Sequence, residues 1–159
     1  LLDSRARAGP IARLGDFEAM FRLPGCRCVD LQYGETRAER DSIVDRFGIR
    51  IEHLDEIDNT NDIDGLAALI TACDLIVTVS NTTAHLAGAL GKPTWVLVPY
   101  GNARLWYWFR NKPASPWYPR VQVRFQEYGQ SWADLVSRTA SELKALPDFA
   151  RAPSGLTSS

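Results

Sequence analysis

Hydrophobic and polar positions divide the chain into short apolar runs and longer segments of helical periodicity. Residues 74–79 and 94–98 are near-continuous apolar runs, which are typical of parallel strands covered on both faces. Shorter runs at 26–31, 49–53 and 121–125 predict three further strands. Because strands alternate with helical segments, the pattern predicts an α/β fold with a doubly wound, mostly parallel sheet.

The helical segments between these strands carry apolar stripes at a spacing of three to four residues, and they end at residues that stop helices. Gly48 and Gly91 suit the left-handed conformation that closes a helix, and Pro147 ends the last one. A short helix is predicted after the polar turn Ser80–Thr83. The other predicted helices cover 9–22, 36–47, 62–72 and 131–146.

Residues 1–146 are therefore predicted to form one domain, and residues 147–159 a disordered tail. A complete nucleotide-binding unit of this class begins with a strand and a ligand-binding turn, whereas here a helical segment comes first. The sequence therefore predicts a sheet that lacks its first strand, in a chain that is a piece of a longer protein.

Composition narrows the classes of partner. A formal net charge of −1 over 159 residues provides no basic field for nucleic acid. No apolar run approaches the roughly 20 residues of a membrane span. Three cysteines fit a reducing compartment better than a disulfide framework, so we expect a cytoplasmic protein. Two histidines and the lack of a second cysteine pair argue against zinc, and we expect no metal cofactor.

The polar turn Ser80–Thr83 carries the strongest candidate chemistry. Ser80 or Asn81 is suited to cap the helix that follows, which leaves the next backbone N–H groups without intrahelical partners. With the positive end of the helix dipole, these donors predict a site for a phosphate-bearing ligand at the carboxyl end of a parallel strand. The alternative is an ordinary capped helix that carries a structural histidine and binds nothing. Side chains that would add donors are those of Ser80, Thr82, Thr83 and His85.

Two further loops follow the carboxyl ends of predicted strands and so lie on the same side of the sheet. The acidic loop 55–64 lacks the glycine and the glutamate of a calcium-binding loop, so it is predicted to cap the next helix, with 59–62 within reach of a ligand. The aromatic loop 105–119 carries large amphipathic rings that can stack on a base or sugar, or close a partner surface. It is equally compatible with burial of its own rings over the sheet. The rings considered are Trp106, Trp108, Trp117 and Tyr118.

Several ordered motifs run through the chain: GETRAE at 34–39, the acidic loop, DIDGLAALITACDLIVTVSNTTAHLAGALGKPTWVLVPYG at 62–101, and SPWYP at 115–119. Together they resemble the carboxyl-terminal domain of GT-B glycosyltransferases, and within that class the heptosyltransferase-like group that is often fused to tetratricopeptide repeats. The resemblance extends roughly over residues 11–146. It implies a Rossmann-like domain that binds the diphosphate and nucleoside of a nucleotide-sugar donor.

Under this resemblance, the family's D-[ST]-G-x-x-H-L-x-A turn falls on residues 80–88. Ser80 stands in place of the acidic residue and Thr82 in place of the glycine, which puts heptose specificity in doubt. The repeat-fused branch often has Asn-Thr-Thr-Ala-His at this place. The turn 32–34 matches the family's strand-end turn beside the nucleotide. The predicted donor-binding residues are Ser80, Asn81, Thr82, Thr83, His85, Gln32, Tyr33, Gly34 and, as a stacking ring, Trp106.

The leading hypothesis is therefore the donor-binding half of a nucleotide-sugar-dependent glycosyltransferase that transfers a hexosyl or heptosyl group. In inverting GT-B enzymes the catalytic base usually comes from the amino-terminal acceptor domain, which this chain lacks. The resemblance thus implies no catalytic residue here, no turnover by the fragment alone, and no metal. The implied partners are the donor, the missing acceptor domain and tetratricopeptide repeats.

Two alternatives belong to other classes. The first is a non-catalytic module that binds a protein partner through the aromatic loop 105–119. The second is an epimerase or phosphatase-like enzyme on a similar sheet, which is disfavoured because the sequence has no paired-carboxylate or Cys/His nucleophile signature.

Overall fold

The structure is a computed structural model that describes residues 12–101, 105–109 and 112–147. A 3-10 turn at Leu14–Phe17 leads into the first α-helix. The helices are α1 (Glu18–Phe21), α2 (Arg37–Phe47), α3 (Ile63–Ala72), α4 (Thr82–Ala89) and α5 (Trp132–Lys144). The strands are β1 (Ile76–Val79), β2 (Thr94–Val98) and β3 (Val121–Phe125).

The three strands form one parallel sheet in the order β1-β2-β3. Ile76 of β1 aligns with Thr94 of β2, which in turn aligns with Val121 of β3. Helix α4 connects β1 to β2, and the chain that includes the aromatic loop connects β2 to β3. The fold is thus α/β with a parallel sheet, which confirms the predicted class and is compatible with a Rossmann-like domain.

Helices cover both faces of this sheet. On one face, Trp95 and Leu97 of β2 pack with apolar residues of α5 and α1. On the other face, Val96 and Val98 pack with α4 and with Trp108 of the aromatic loop. All five residues of β2 are buried, as its continuous apolar run predicts.

The predictions of helices and strands hold best in this central part. Strands β2 and β3 have the predicted bounds, and α2, α3 and α5 lie within the predicted helical segments. Strand β1 begins two residues later than predicted, at Ile76. Gly48 and Gly91 take the left-handed conformation, with φ of 67° and 69°.

The amino-terminal part contradicts the prediction of two strands at 26–31 and 49–53. These segments share a single parallel bridge, between Val29 and Glu52, and form no ladder. The bridge rests on two backbone hydrogen bonds, from the N–H of Glu52 to the carbonyl of Cys28 (2.9 Å) and from the N–H of Asp30 to the carbonyl of Glu52 (2.8 Å).

A local polar contact explains why this ladder stops. The Oδ1 of Asp30 accepts a hydrogen bond from the backbone N–H of Gln32 at 2.9 Å. This contact between a side chain and the backbone two residues further on closes a local turn. The other oxygen of Asp30 accepts from the hydroxyl of Thr36 at 2.5 Å. Because Asp30 is buried, these contacts outweigh the strand tendency of its apolar neighbours.

The helix predicted over 9–22 is shorter in the structure. It consists of the 3-10 turn and α1, which ends at Phe21, while residues 9–11 lie outside the described ranges. The carboxylate of Asp16 accepts from the N–H of Arg13 at 2.8 Å and so fixes the start of the 3-10 turn. The predicted tail falls, from residue 148 onwards, outside the described residues.

Strand β1 forms one edge of the described sheet. The N–H of Ile76 donates to the carbonyl of Pro93, on the β2 side, at 2.9 Å. Backbone groups alternate in direction along a strand, so those of Val77 and Val79 face away from β2. Among the described residues no strand pairs with this edge, and the missing first strand stays a prediction.

Within the same ranges, no helix combines the length and the apolar character that crossing a bilayer requires.

Candidate functional site

Helix α4 begins directly behind the carboxyl end of β1. Asn81 has an extended backbone (φ −148°, ψ −176°), and its Oδ1 accepts a hydrogen bond from the N–H of Ala84 at 3.1 Å. The hydroxyl of Thr78 donates to the same oxygen at 3.2 Å. Of the two caps that the sequence allowed, the structure uses Asn81, which leaves Ser80 available for another contact.

The first two residues of α4 present unpaired backbone donors. The N–H groups of Thr82 and Thr83 have no acceptor among the described residues, as expected for a first helical turn. This turn contains no acidic side chain that would repel an anion. Thr83 is buried, whereas Thr82 is exposed. The helix start therefore offers two donors together with the positive end of the helix dipole.

Ser80 contacts the aromatic loop rather than the helix. The indole Nε1–H of Trp108 donates to its Oγ at 2.7 Å. Trp108 is 1% exposed and packs against Ala84 of α4 and against the sheet. The loop is thereby tied over the start of α4, and for Trp108 the interpretation of a ring buried over the sheet is confirmed.

His85 lies within the first turn of α4, and three aromatic rings surround it. Its Nδ1 is 3.1 Å from the hydroxyl of Tyr118. The ring of Trp108 stacks on the imidazole at 5.5 Å between centroids, and Tyr107 meets it edge-on at 4.9 Å. His85 is half-buried, and Nε2 has no hydrogen-bond partner in the part of the chain that the structure describes.

Gly88 explains how Tyr118 comes so close to α4. A Cβ atom at Gly88 would lie 2.6 Å from Cγ of the Tyr118 ring, which is closer than two carbon atoms can pack. The glycine therefore provides the space in which Tyr118 lies one turn beyond His85. From its place in the sequence, Tyr118 is only one of the rings of the aromatic loop, so its pairing with His85 could not be predicted.

Trp106 and Trp117 behave differently from Trp108. They are 76% and 54% exposed. Trp106 meets Tyr107 edge-on at 5.7 Å, so it lies one ring away from His85. Because Trp108 belongs to the core, the three tryptophans do not form one exposed patch.

The predicted nucleotide turn 32–34 is held to the acidic loop. The Nδ2 of Asn59 donates to the carbonyl of Gln32 at 3.0 Å, and the N–H of Gly34 donates to the hydroxyl of Thr60 at 3.1 Å. Tyr33 is 62% exposed and available to a ligand. Among the described residues no hydrogen bond joins this turn to α4, whereas Ser80 and His85 both contact Trp108.

Next to this turn lies a group of polar side chains, which we call the Asp30 cluster: Asp30 and Thr36, which are buried, and Arg40 and His53, which are partly buried. The Asp30 carboxylate is 3.5 Å from Nε of Arg40 and 3.5 Å from Nδ1 of His53. These four residues connect the start of α2 with the segments on either side of it. This cluster could not be predicted from the sequence, because its members come from three separate segments of the chain that only the fold brings together.

The acidic loop acts as predicted at its end, where Oδ1 of Asp62 accepts from the N–H of Gly65 at 2.8 Å and caps α3. In the described residues no group of three or more His, Cys, Asp or Glu side chains could hold a metal ion. Burial raises the pKa of the Cys28 thiol to about 11, so this thiol stays protonated at neutral pH and is a poor nucleophile.

The chain is similar to Protein FlbA from Caulobacter vibrioides, with 35% identity over 135 residues. The match covers 84% of this chain but 21% of that protein, which is therefore much longer. No protein-family model matches the chain. No solved structure matches it either.

Proposed function

We propose that this chain is the donor-binding half of a nucleotide-sugar-dependent glycosyltransferase, and that the start of α4 binds the donor diphosphate. The observation that carries the proposal is the pair of free backbone N–H groups at Thr82 and Thr83, at the carboxyl end of a parallel strand. The Asn-Thr-Thr-Ala-His motif, which resembles the GT-B turn, lies at the same place.

The chemistry follows from the charge of the leaving group. When the sugar is transferred, negative charge develops on the departing nucleoside diphosphate. Backbone donors and a helix dipole that are already oriented would stabilise this charge without reorganising. His85 and the exposed ring of Trp106 both meet Tyr107, and they would contact phosphate and base or sugar respectively. No metal is required in this scheme.

The remaining parts would come from a longer polypeptide. We propose that the open edge of β1 receives the missing first strand of a GT-B Rossmann-like sheet, because the backbone groups of Val77 and Val79 face away from β2. The acceptor domain and its catalytic base would precede that strand, with tetratricopeptide repeats as further partners. This chain alone should then bind a donor without turning it over.

The test removes a single backbone donor and keeps the helix. Thr82 is the first residue of α4, where proline is tolerated, and the extended conformation of Asn81 is the one that a following proline favours. Thr82→Pro should weaken UDP or ADP binding about tenfold or more, since a charge-assisted hydrogen bond is lost. Thr82→Ala keeps the N–H and serves as the matched control, with less than about a threefold change expected. Isothermal titration calorimetry measures both.

Thr83→Ala and His85→Ala should also weaken nucleotide binding. Unchanged affinity in these variants and in Thr82→Pro, or the absence of saturable binding of any nucleoside diphosphate, would contradict the proposal. A circular dichroism spectrum equal to that of the wild type shows that α4 remains folded.

A second candidate function is a protein-interaction module, and the exposure of the aromatic loop favours it. Trp106, Trp117, Leu105 and Phe109 are all exposed, at 76%, 54%, 42% and 41%. If these side chains bind a protein partner, the double variant Trp106→Ala and Trp117→Ala should abolish that binding and leave nucleotide affinity within about threefold. Loss of nucleotide binding in the same variant would instead assign the rings to the donor site.

A further inference from the structure

We infer that Tyr118 is a positioning residue that holds His85 in the tautomer with its proton on Nε2. The starting observation is the 3.1 Å distance between the hydroxyl of Tyr118 and Nδ1 of His85. A neutral imidazole has one nitrogen that donates and one that accepts, so the partner of Nδ1 decides which form is present.

The phenol donates in this pair. The lone pairs of a phenolic oxygen are partly delocalised into the ring, whereas the unprotonated imidazole nitrogen is a strong acceptor. An O–H···N bond from Tyr118 to Nδ1 is therefore the better of the two arrangements. It leaves the proton on Nε2, which has no partner among the described residues.

The surroundings prevent the imidazole from escaping this bond by rotating. Trp108 is stacked on its face with an interplanar angle of 18°, and it is fixed in turn by its hydrogen bond to Ser80. Tyr107 closes another side at 72°. Tyr118 itself lies over Gly88, where a side chain would displace it. The imidazole and its phenol partner are thus both held in place.

The consequence for ligand binding rests on the proposed function. If the start of α4 binds a diphosphate, a neutral His85 with its proton on Nε2 can donate to a phosphate oxygen. The other tautomer would present a lone pair to the same oxygen and repel it. Tyr118 would thus orient a third donor, the Nε2–H of His85, in addition to the two backbone N–H groups, and would not itself touch the ligand.

The test measures the tautomer in the protein without nucleotide. Nuclear magnetic resonance of isotope-labelled histidine separates the two neutral forms by the chemical shifts of Nδ1 and Nε2. The chain has two histidines, so a His53→Gln variant assigns the signals. The wild type should show mainly the Nε2–H form of His85 at a pH where the ring is neutral. Tyr118→Phe keeps the ring over Gly88 but removes the hydroxyl, and it should give a mixture.

Two further variants separate positioning from folding. Gly88→Ala should shift the tautomer as Tyr118→Phe does, because the new Cβ displaces the Tyr118 ring while alanine itself favours the helix. Tyr128→Phe changes a tyrosine that is 84% exposed and should leave the tautomer as in the wild type. An Nδ1–H form in the wild type, or an unchanged tautomer in Tyr118→Phe, would overturn the inference.

Nucleotide titration then distinguishes the two proposals. Tyr118→Phe should weaken UDP binding about three- to tenfold, in proportion to the loss of the Nε2–H form. If Tyr118→Phe shifts the tautomer but neither the wild type nor any variant binds UDP, the proposed function fails and the inference stands. If UDP binds at the start of α4 and Tyr118→Phe leaves the tautomer unchanged, the proposed function stands and the inference fails.

Discussion

The sheet region, which runs from β1 to α5, and the amino-terminal segment 26–62 are stabilised in different ways. In the sheet region, all of β2 is buried and apolar side chains fill both faces. In the amino-terminal segment, a single backbone bridge and polar contacts such as those of the Asp30 cluster connect the chain, with Ile43 and Ile51 as its buried apolar side chains. Apolar burial is spread over many side chains, whereas a polar cluster depends on each of its few members. Damage to the two regions should therefore have different consequences.

The largest expected effect comes from the sheet region. Leu97→Ala leaves a cavity between β2 and α5, where Leu97 is 0% exposed, and should lower the free energy of unfolding by about 2–5 kcal/mol. Urea denaturation followed by fluorescence measures the change. Val44→Ala, at an exposed position of α2, is the control and should change stability by no more than about 0.5 kcal/mol. Equal losses in the two variants would mean that the sheet is not the dominant core.

The next effect should come from the amino-terminal segment. Asp30→Ala removes the acceptor of the buried Thr36 hydroxyl and of the Gln32 N–H, which should cost about 1–3 kcal/mol. Because the cluster is local, the loss should appear first as local opening. Hydrogen exchange should accelerate at the amides of Asp30 and Glu52, which form the bridge, and much less in β2.

The outcome of this experiment decides whether the two regions are separate. Faster exchange restricted to the bridge would show that the sheet region stays folded while the amino-terminal segment opens. Equally faster exchange in β2 would show that the segment and the sheet unfold as one cooperative unit.

The same contrast explains what the sequence could predict. β2 and β3 have the predicted bounds because a run of apolar residues is a local signal of burial. The predicted caps at Asn81 and in the acidic loop, at Asp62, are hydrogen bonds that span three residues. The segment 26–31 was predicted as a strand for the same reason, and this was wrong, because the contact that matters is between Asp30 and Thr36.

The candidate site divides along the same line. The helix start and its backbone donors follow from a local motif, so the sequence alone predicts that a helix begins between Ser80 and His85. The rings that surround His85 come from residues 107, 108 and 118, which the chain brings back through a loop of irregular structure. Only Gly88 carried a signal, and a small residue in a helix has many explanations besides an approaching tyrosine.

The smallest effect comes from a contact that chemically matches the one at Asp30 but lies at the surface. At the start of α5, the hydroxyl of Ser131 donates to the carboxylate of Asp134 at 2.6 Å, close to the 2.5 Å between Thr36 and Asp30. Here both partners keep access to water, so the loss of the contact exposes no unsatisfied group. Ser131→Ala should cost about 1 kcal/mol at neutral pH, which is the ordinary value for a helix cap.

The pH dependence of this cap provides the control. The hydrogen bond from Ser131 lowers the pKa of the Asp134 carboxyl below its ordinary value. A carboxyl whose pKa is lower in the folded state stabilises the fold above its unfolded pKa, and this contribution is lost as the pH falls through the folded pKa. The difference in stability between the wild type and Ser131→Ala should therefore be constant near neutral pH and shrink below about pH 4. It should not vanish, because the N–H of Asp134 still donates to Ser131 Oγ at 3.1 Å. A difference that grows on acidification would show that the carboxylate destabilises α5. The contact between Ser131 and Asp134 could then not serve as the exposed counterpart of the contact between Thr36 and Asp30.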